Sequence, residues 1–357
     1  MSGERWMVVE PLDTIIIRDG RAFDAGANSQ ARAVLPSPST IAGAVGAAYG
    51  ARPGAGRDRA ARGSVLPERV QGPFVVSPAG EGRWETHWPL PLDVVTVRNR
   101  LRRLEPDPDP VQGACTDLSG QVGALLSDEE DCEPGQGWWD SEALTSYLRD
   151  GEVDGEPSVF WAEGDPYVPW KVERRVGLAR TPERLAAEGM LYAAEHLRLA
   201  GGHGLAARCI GGPRDRSLAD MVNFGGRGRR AQVHEPKQVL MPKSADTFPK
   251  GRMLLYLATP AVFPGGDWKP VLPGAELVTA AVGPPQVVTT VTASAGKVQG
   301  GLLMWAVPAG TVYYLEFADE DAARQAAEQL YDRPLEQAED WLRTAGFGFA
   351  FAGRWSS

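Results

Sequence analysis

The sequence predicts an α+β protein with antiparallel sheets. Short segments rich in Val, Ile and aromatic residues recur along the 357 residues, whereas only a few segments have the composition of helices. Strands that follow one another without regular crossover helices pair most readily as antiparallel neighbours. Hydrophobic residues make up 43% of the chain. The chain can therefore build real cores, and its length predicts two domains or one domain with insertions.

The N-terminal part begins with an extended segment that is followed by a small, apolar helix. Residues 6–17 are rich in Val and Ile and are interrupted at Pro11. Residues 40–49 are small and apolar and follow Ser39, which is a good N-cap residue, so a helix packed closely on a sheet is predicted there. Further strands are expected at residues 74–77, 94–97 and 172–178.

The C-terminal part continues the mixture of strands with few helices. Alternating and β-branched patterns predict strands at residues 253–259, 277–282, 286–293 and 310–317, whereas residues 183–198 have the composition of a helix. A clear helix is predicted at residues 319–331, before Pro334.

The charge of the chain is unevenly distributed. The formal net charge is −9, but residues 105–156 hold 15 acidic residues and one basic residue, so the remainder of the chain is net positive. Binding of a charged ligand depends on the electrostatic field near its site, so a basic groove can coexist with an acidic lobe. The acidic segment looks like an insertion with one short helix at residues 141–149. We expect it to form a partner surface or a solvated excursion rather than a catalytic site.

Several common chemistries are excluded by missing motifs. The chain has no GxxxxGK[ST] motif, and FGGRGRR at residues 224–230 lacks the GxGxxG spacing and its strand–helix context. The four histidines show no metal-ligand spacing, and SDEEDCE at residues 127–133 lacks the central Gly of a calcium loop. No nucleophile motif stands out. We therefore expect no catalytic residue, no metal and no other cofactor.

Cysteine use and hydropathy predict a cytoplasmic protein without a membrane segment. The three cysteines are widely spaced and form no CxxC pair, which fits a reducing compartment. The first 13 residues carry charges where a signal peptide needs an apolar run, and residues 253–263 are too short to cross a bilayer.

Three basic clusters are candidate binding elements: FGGRGRR, RNRLRR at residues 98–103 and KVERR at residues 171–175. Glycines let a backbone approach a phosphate closely, and arginines supply charge and planar donors. In SPST, at residues 37–40, the hydroxyls either cap a helix or help its N-terminus to hold a phosphate. Each cluster alone also fits a solvated surface, whereas clusters that line one groove would form the footprint of a nucleic-acid binder.

Six stretches of the chain form one recognisable set: EPLDTIIIRDGRAFDAG (10–26), LPSPSTIAGAVGAAYG (35–50), ERRVGLAR (173–180), EGMLYAAEHLRL (188–199), FGGRGRRA (224–231) and AVPAGTVYYLEF (306–317). Together, and in this order, they resemble one family, the third subunit of the Cmr complex, which is a type III-B CRISPR effector. This subunit is a RAMP (repeat-associated mysterious protein). The resemblance implies a strand at about residues 190–199, and the chain departs from the family pattern at Arg227, where an acidic residue is common.

The resemblance implies two ferredoxin-like (RRM-like) domains with antiparallel sheets and large loop insertions. The N-terminal RAMP domain would span residues 1–240 and would include the acidic insertion at about residues 105–156. The C-terminal ferredoxin-like domain would span residues 241–357.

The resemblance also implies a non-catalytic subunit of an antiviral ribonucleoprotein. Such a subunit binds the repeat-derived 5′ tag of the CRISPR RNA (crRNA) and bridges the large polymerase-type subunit to the adjacent backbone subunit, and target RNA is a further candidate partner. The matching positions that we expect to contact RNA are Arg18, Ser37, Pro38, Ser39, Thr40, Arg174, Arg175, Gly225, Gly226, Arg227, Arg229 and Arg230.

Two other functions stay open at this point. One is a CRISPR repeat-processing RAMP endoribonuclease, which would need a His, or a Tyr and Lys set, near the RNA 2′-hydroxyl. The absence of any His before His87 and of any Lys before Lys171 disfavours this function. The other is a pure protein scaffold, in which the acidic insertion and aromatic residues contact partners without RNA.

Overall fold

The structure is a computed structural model that describes most of the chain. The described ranges are 3–17, 32–51, 66–98, 100–107, 123–127, 131–153, 156–161, 165–213, 215–289, 292–294, 297–299 and 303–355. Nearly all strand pairs in these ranges are antiparallel, and few helices accompany them. The predicted α+β class with antiparallel sheets is therefore confirmed. Two ferredoxin-like domains remain a prediction.

The strands and helices are numbered in chain order. The strands are β1 Glu4–Pro11, β2 Arg69–Pro78, β3 Arg83–Pro89, β4 Val94–Val97, β5 Arg100–Arg103, β6 Glu105–Pro106, β7 Leu125–Leu126, β8 Glu133–Pro134, β9 Trp138–Asp140, β10 Trp170–Arg180, β11 Ala186–Leu199, β12 Gly204–Ile210, β13 Met221–Asn223, β14 Arg230–His234, β15 Gln238–Leu240, β16 Arg252–Leu257, β17 Ala275–Ala281, β18 Gln286–Thr289, β19 Thr292–Ser294, β20 Lys297–Gln299, β21 Leu303–Ala306, β22 Val312–Phe317 and β23 Ala350–Arg354. The helices are α1 Pro38–Ala48, α2 Ser141–Asp150, α3 Glu320–Asp332 and α4 Asp340–Ala345. Within the described ranges, no helix combines the length and the apolar character that crossing a bilayer requires.

The chain divides into two compact units, each assembled from three stretches. The first unit contains Met1–Pro73, Phe160–Pro236 and Val287–Trp305, and the second contains Phe74–Val159, Lys237–Gln286 and Ala306–Ser357. One border, after Pro236, lies close to the predicted domain border after residue 240. The division into residues 1–240 and 241–357 itself stays a prediction.

The first unit is built on a sheet whose strands follow the order β13-β14-β1-β12. Strand β1 lies inside this sheet, where Val8 pairs with Ala206 on one side and with His234 on the other. Helix α1 packs against β12 and β13 and buries Ile41 and Val45. Burial of each of these side chains stabilises the unit by about 1.5–3 kcal/mol.

Helix α1 begins two residues earlier than the sequence predicts. Its N-cap is Ser37 rather than Ser39, and Pro38 occupies the first helical position. The reason is the fixed φ of proline, which suits the first turn, where its missing N–H has no intrahelical partner to lose.

A long two-stranded hairpin, β10–β11, also belongs to the first unit. Its register pairs Val172 with Leu197 and Arg175 with Ala194. The segment after β1 crosses the base of this hairpin, because the Ile15 N–H donates to the Leu197 carbonyl at 2.7 Å and the Leu197 N–H donates back at 2.9 Å. The hairpin is thereby fixed beside the end of β1.

The second unit contains an antiparallel sheet of order β17-β22-β16-β23. Helix α3 follows β22 in the chain, and the core beneath it includes Phe248, Leu255, Tyr313 and Leu330. In chain order, β16, β17, β22, α3 and β23 correspond to the β-α-β-β-α-β ferredoxin-like pattern without its first helix.

Part of the acidic segment is core rather than a solvated excursion, which corrects our expectation. Strand β9 pairs with β3, and helix α2 buries Leu144, Tyr147 and Leu148. The helix forms because its apolar residues repeat at helical spacing and because the Asp140 carboxylate accepts the Ala143 N–H at 2.8 Å. Residues 108–122, 128–130 and 154–155 of this segment lie outside the described residues.

Candidate nucleic-acid interface

The glycine–arginine loop at residues 224–230 is the turn of a β-hairpin. It joins β13 to β14, where Asn223 pairs with Arg230. The Phe224 N–H donates to the Arg229 carbonyl at 2.8 Å, and the Phe224 side chain is buried. A buried aromatic anchor therefore supports a turn whose tip, Gly225 to Gly228, is exposed.

The glycines of this loop have a structural role in the backbone of the turn, apart from any contact with a ligand. Gly225 and Gly228 have φ angles of 85° and 68°, which is the left-handed region that favours glycine. The Gly226 N–H donates to the Ile16 carbonyl at 2.8 Å. A Cβ on Gly225 would lie 3.0 Å from the same carbonyl oxygen. We expected these glycines to let a phosphate approach the backbone closely. In the structure, the segment that follows β1 makes this close approach to Gly225 and Gly226.

Arg227 adopts a left-handed conformation although it is not glycine. Its φ angle is 57°, and its side chain is exposed at the tip of the turn. This backbone region costs a non-glycine residue about 1–2 kcal/mol. Arg227, which departs from the family pattern, therefore also has a backbone conformation that is unfavourable for a residue other than glycine.

Two carboxylates organise the arginines beside the loop. Asp13 accepts from Arg229 and, at 2.9 Å, from Arg198. Glu173 accepts from Arg198 and, at 2.8 Å, from Arg175. Arg175 also lies 3.7 Å from Asp13. The three guanidinium groups share two carboxylates, so the cluster retains net positive charge.

The network keeps both carboxylates ionised. Partial burial acts to raise the pKa of Asp13, but the Thr14 backbone N–H and the guanidinium groups of Arg198 and Arg229 lower this pKa to about 2. Hydrogen bonds from Arg198 and then from Arg175 likewise hold the pKa of Glu173 below its ordinary value. The ion pairs therefore persist throughout the neutral pH range.

An open cleft of about 400 Å³, here called the arginine cleft, lies between the β10–β11 hairpin and the loop. Its lining combines basic and apolar side chains. The lining residues are Ile16, Arg175, Val176, Gly177, Ala194, His196, Arg227, Gly228 and Arg229.

A buried histidine contributes to the wall of the arginine cleft. His196 is 4% exposed, and its Nδ1 lies 2.9 Å from the hydroxyl oxygen of Thr14, which is also buried. Burial, followed by the nearby charges of Arg175 and Arg229, lowers the pKa of His196. The imidazole is therefore neutral at physiological pH and has one nitrogen engaged by Thr14.

The structure brings together some of the predicted RNA-contacting residues and separates others. Arg175, Arg227 and Arg229 line the arginine cleft, with Gly225 and Gly226 in the adjoining turn. Arg174 is exposed on the opposite face of β10, and Arg230 is exposed at the start of β14. Arg18 lies outside the described residues.

The SPST turn forms a separate cluster at the start of α1. Among the described residues that line the arginine cleft there is no member of SPST. The Ser37 hydroxyl makes no capping bond to the helix; it lies 2.8 Å from the Ser39 hydroxyl and 3.2 Å from that of Thr40. Pro38 is buried beside them. Ser37 therefore caps the helix through its backbone conformation only.

The RNRLRR cluster is partly structural. Arg103 lies over the rings of Tyr147 and Tyr314, at 5.0 Å and 5.4 Å from their centroids. Its Nε is 3.3 Å from the buried carboxylate of Asp93. Arg103 therefore belongs to the core of the second unit, whereas Arg100 and Arg102 are exposed.

Sequence reasoning missed four residues at the site: Asp13, Glu173 and Arg198, which form the ion-pair network, and His196, which lines the arginine cleft. All four lie in the stretches that resemble the family, but nothing in their spacing indicated that they would meet. Across the part of the chain that the structure describes, no group of three or more His, Cys, Asp or Glu side chains is arranged to hold a metal ion.

The fold and the arginine cleft together define the class of this protein, an α+β protein with a basic surface cleft. Comparisons with known proteins then identify its relatives. One similar chain comes from a cryo-EM structure of the type III-B Cmr-beta bound to cognate target RNA. It has 15% identity and a TM-score of 0.53, and the alignment covers 96% of this chain and 95% of that chain. A second comes from the type III-B Cmr-beta bound to cognate target RNA and AMPPnP, state 1, with 14% identity, a TM-score of 0.53, and coverage of 96% and 94%. At this identity the likeness shows a shared fold.

The family follows from the sequence itself. The model of the family described as CRISPR-associated protein (Cas_Cmr3) matches residues 7–355. The chain belongs to this family, as its six characteristic stretches predicted. The comparison with curated proteins gave no match.

Proposed function

We propose that this chain is a non-catalytic RAMP subunit of a type III-B Cmr effector and that it binds the repeat-derived 5′ tag of crRNA. It acts in the cytoplasm, in antiviral defence against foreign RNA or DNA. In this role it bridges the large polymerase-type subunit to the adjacent backbone subunit. The proposal includes two ferredoxin-like domains, which the strand order of the second unit supports.

The observation that carries the proposal is the arginine cleft in a chain of this family. Arg175, Arg227 and Arg229 come from separate stretches of sequence and meet around one opening. Guanidinium groups bind phosphate oxygens through paired donors, and single-stranded RNA presents such oxygens at every nucleotide. The similar solved chains belong to effectors bound to target RNA, which supports an RNA-facing role and makes target RNA a second candidate ligand.

Two of the four histidines, His87 and His196, also support a non-catalytic role. His196 is buried, and Thr14 engages its Nδ1. His87 is buried, and its Nε2 lies 2.8 Å from the Ser77 hydroxyl. General acid–base cleavage needs a group within hydrogen-bond reach of the 2′-hydroxyl. Metal-independent cleavage of repeat RNA by the purified chain would favour the endoribonuclease instead.

Removal of cleft charges tests the proposal. We expect Arg227→Gln combined with Arg229→Gln to weaken binding of a single-stranded RNA that carries the 5′ tag. The slope of log K against log salt should fall by about 0.7 for each lost phosphate contact. Fluorescence anisotropy at several salt concentrations measures both quantities.

The matched control is Arg324→Gln combined with Arg343→Gln. These arginines are about half exposed on α3 and α4, each paired with an aspartate three residues before it. The control changes the net charge by the same amount, so it should leave the salt slope as in the wild type. Equal slopes for both double variants would contradict RNA contact at the arginine cleft.

A further inference from the structure

Strand β5 lies at the edge of a small antiparallel sheet in the second unit. The strand order of this sheet is β5-β4-β8, so β5 pairs with β4 on one side only. The Leu104 N–H donates to the carbonyl of Asp93, which precedes β4, at 2.7 Å. The Asp107 N–H donates to the carbonyl of Ala124, which precedes β7, at 2.8 Å. Amides three residues apart in an extended strand point to opposite edges, so β7 lies on the edge that faces away from β4.

This outer edge is open beside β5. The backbone N–H and C=O groups of Leu101 and Arg103 point to the same edge as those of Glu105, because the direction alternates from one residue to the next. Strand β7 covers the edge at Glu105 and Pro106, and no other strand of the described residues pairs with it. Unpaired backbone groups on a sheet edge are a template for an added strand.

One face of β5 is basic. Arg100 and Arg102 lie on this face, and both side chains are exposed. Within the described ranges of the chain, neither guanidinium group forms an ion pair. Glu133 of β8 pairs with Thr96 of β4, which pairs in turn with Leu101, so this carboxylate belongs to the other face. The two arginines therefore present positive charge beside an open edge.

The composition of this sheet favours a peptide ligand over a nucleic acid. Single-stranded RNA sites combine positive charge with aromatic side chains on which the bases stack, and β4, β5 and β8 hold no aromatic residue. Arg100 and Arg102 are two residues apart, about 6.8 Å along the strand, which is also the spacing of alternate side chains on an added strand. Opposite charges on facing strands attract and like charges repel, so the arginines select an acidic strand.

We propose that the outer edge of β5 binds an extended acidic segment of a partner protein, which joins the sheet as a further antiparallel strand. The backbone groups of Leu101 and Arg103 bond to the backbone of the segment, and Arg100 and Arg102 pair with carboxylates at its alternate positions. All four residues belong to the second unit. The inference therefore does not depend on RNA binding at the arginine cleft.

Fluorescence anisotropy of the full chain with labelled peptides tests this inference. One probe is a short peptide that alternates threonine with glutamate, and the other alternates threonine with lysine. We expect the wild type to bind the glutamate peptide about tenfold more tightly than the lysine peptide, and Arg100→Glu combined with Arg102→Glu to reverse this preference. The matched control, Arg324→Glu combined with Arg343→Glu, changes the net charge equally on α3 and α4 and should keep the preference of the wild type.

Methylation of the peptide backbone distinguishes strand addition from attraction to a charged patch. With its glutamates facing Arg100 and Arg102, an added antiparallel strand directs the N–H groups of its threonines toward β5 and those of its glutamates away from it. Methylation of the threonine amides should therefore weaken binding about tenfold, whereas methylation of the glutamate amides should be tolerated. This measurement uses the wild-type chain, so it decides the question even if the charge-reversed variant does not fold.

Three results would overturn the inference. The wild type could bind the glutamate and lysine peptides equally, or the two methylated peptides could bind alike. Alternatively, oligouridylate could displace the glutamate peptide and lose affinity for the charge-reversed variant to the same extent, which would make this face of β5 a nucleic-acid contact. All three results leave tag binding at the arginine cleft untouched, because the Arg227 and Arg229 double variant tests that function separately.

Discussion

At the scale of single residues, the candidate site depends on shared carboxylates. Asp13 is bonded by two arginines and lies near a third, and Glu173 is bonded by two. A partly exposed ion pair contributes little to stability, but it aligns long side chains that would otherwise sample many rotamers. The arginines are thus pre-oriented at the cleft without being neutralised.

Asp13→Asn tests this alignment through pH. Because the pKa of Asp13 is lowered to about 2, its contribution to stability is present above the ordinary aspartate pKa and is lost as the pH falls from about 4 to about 2. The side chain is 39% exposed, so solvent screening limits the loss at pH 7 to about 0.5–1 kcal/mol.

Urea denaturation at pH 7, pH 4 and pH 2.5 measures the difference between the wild type and Asp13→Asn. The difference should shrink toward zero at the lowest pH. Glu328→Gln, an exposed change on α3, serves as the control. A constant difference at all three pH values would show that the Asp13 charge does not stabilise the fold.

Substitutions of two glycines in the loop distinguish the stability cost of backbone strain from the stability cost of close packing. Both have positive φ, but a Cβ on Gly225 would approach the Ile16 carbonyl oxygen to 3.0 Å, whereas a Cβ on Gly228 would meet open space. We expect Gly228→Ala to cost about 1 kcal/mol and Gly225→Ala to cost clearly more. Thermal or urea unfolding of the two variants checks this order, and equal costs would refute the packing argument.

At the scale of elements, a buried polar cluster joins helix α2 to strands of the second unit. The Tyr147 hydroxyl donates to both oxygens of Asp93, and the Tyr314 hydroxyl donates to one of them at 2.6 Å. Arg103 lies beside the same carboxylate. Tyr147 belongs to α2 and Tyr314 to β22, so the cluster ties a helix of the acidic segment to the C-terminal sheet.

Tyr147→Phe tests this connection with the smallest possible change. It removes hydroxyl donation to a fully buried carboxylate, which typically costs about 1.5–3 kcal/mol. Urea denaturation should therefore show a lower midpoint with an unchanged slope. Tyr167→Phe, at a partly exposed tyrosine, is the matched control and should change stability by less than about 0.5 kcal/mol.

The same elements show how far the sequence predicts the fold. Local signals placed β4 and α2 within a residue, because β-branched runs and an Asp N-cap act locally. The observed start of α1 differs from the predicted one because Ser37 and Ser39 are both good N-cap residues. Pro38 favours Ser37 as the N-cap, since proline fits the first helical position. The contacts of Asp13 with Arg198 and Arg229 could not be predicted, since they join residues about 200 positions apart.

At the scale of the whole molecule, the overall charge is a poor guide to the ligand. The chain carries −9 formally, yet three arginines line the arginine cleft in the first unit, and two of them share two carboxylates with Arg198. Part of the acidic segment is core of the second unit. Binding of a polyanion depends on the local electrostatic field rather than on the net charge, so a negative net charge does not exclude it.

Site-resolved crosslinking in an assembled effector tests the central claim most directly. The crRNA carries a photoreactive nucleotide at each position of its 5′ tag, and crosslinked peptides of this chain are identified by mass spectrometry. The account predicts crosslinks to the β10–β11 hairpin and to the glycine–arginine loop. A tag that crosslinks only to other subunits would contradict it and would favour a pure protein scaffold.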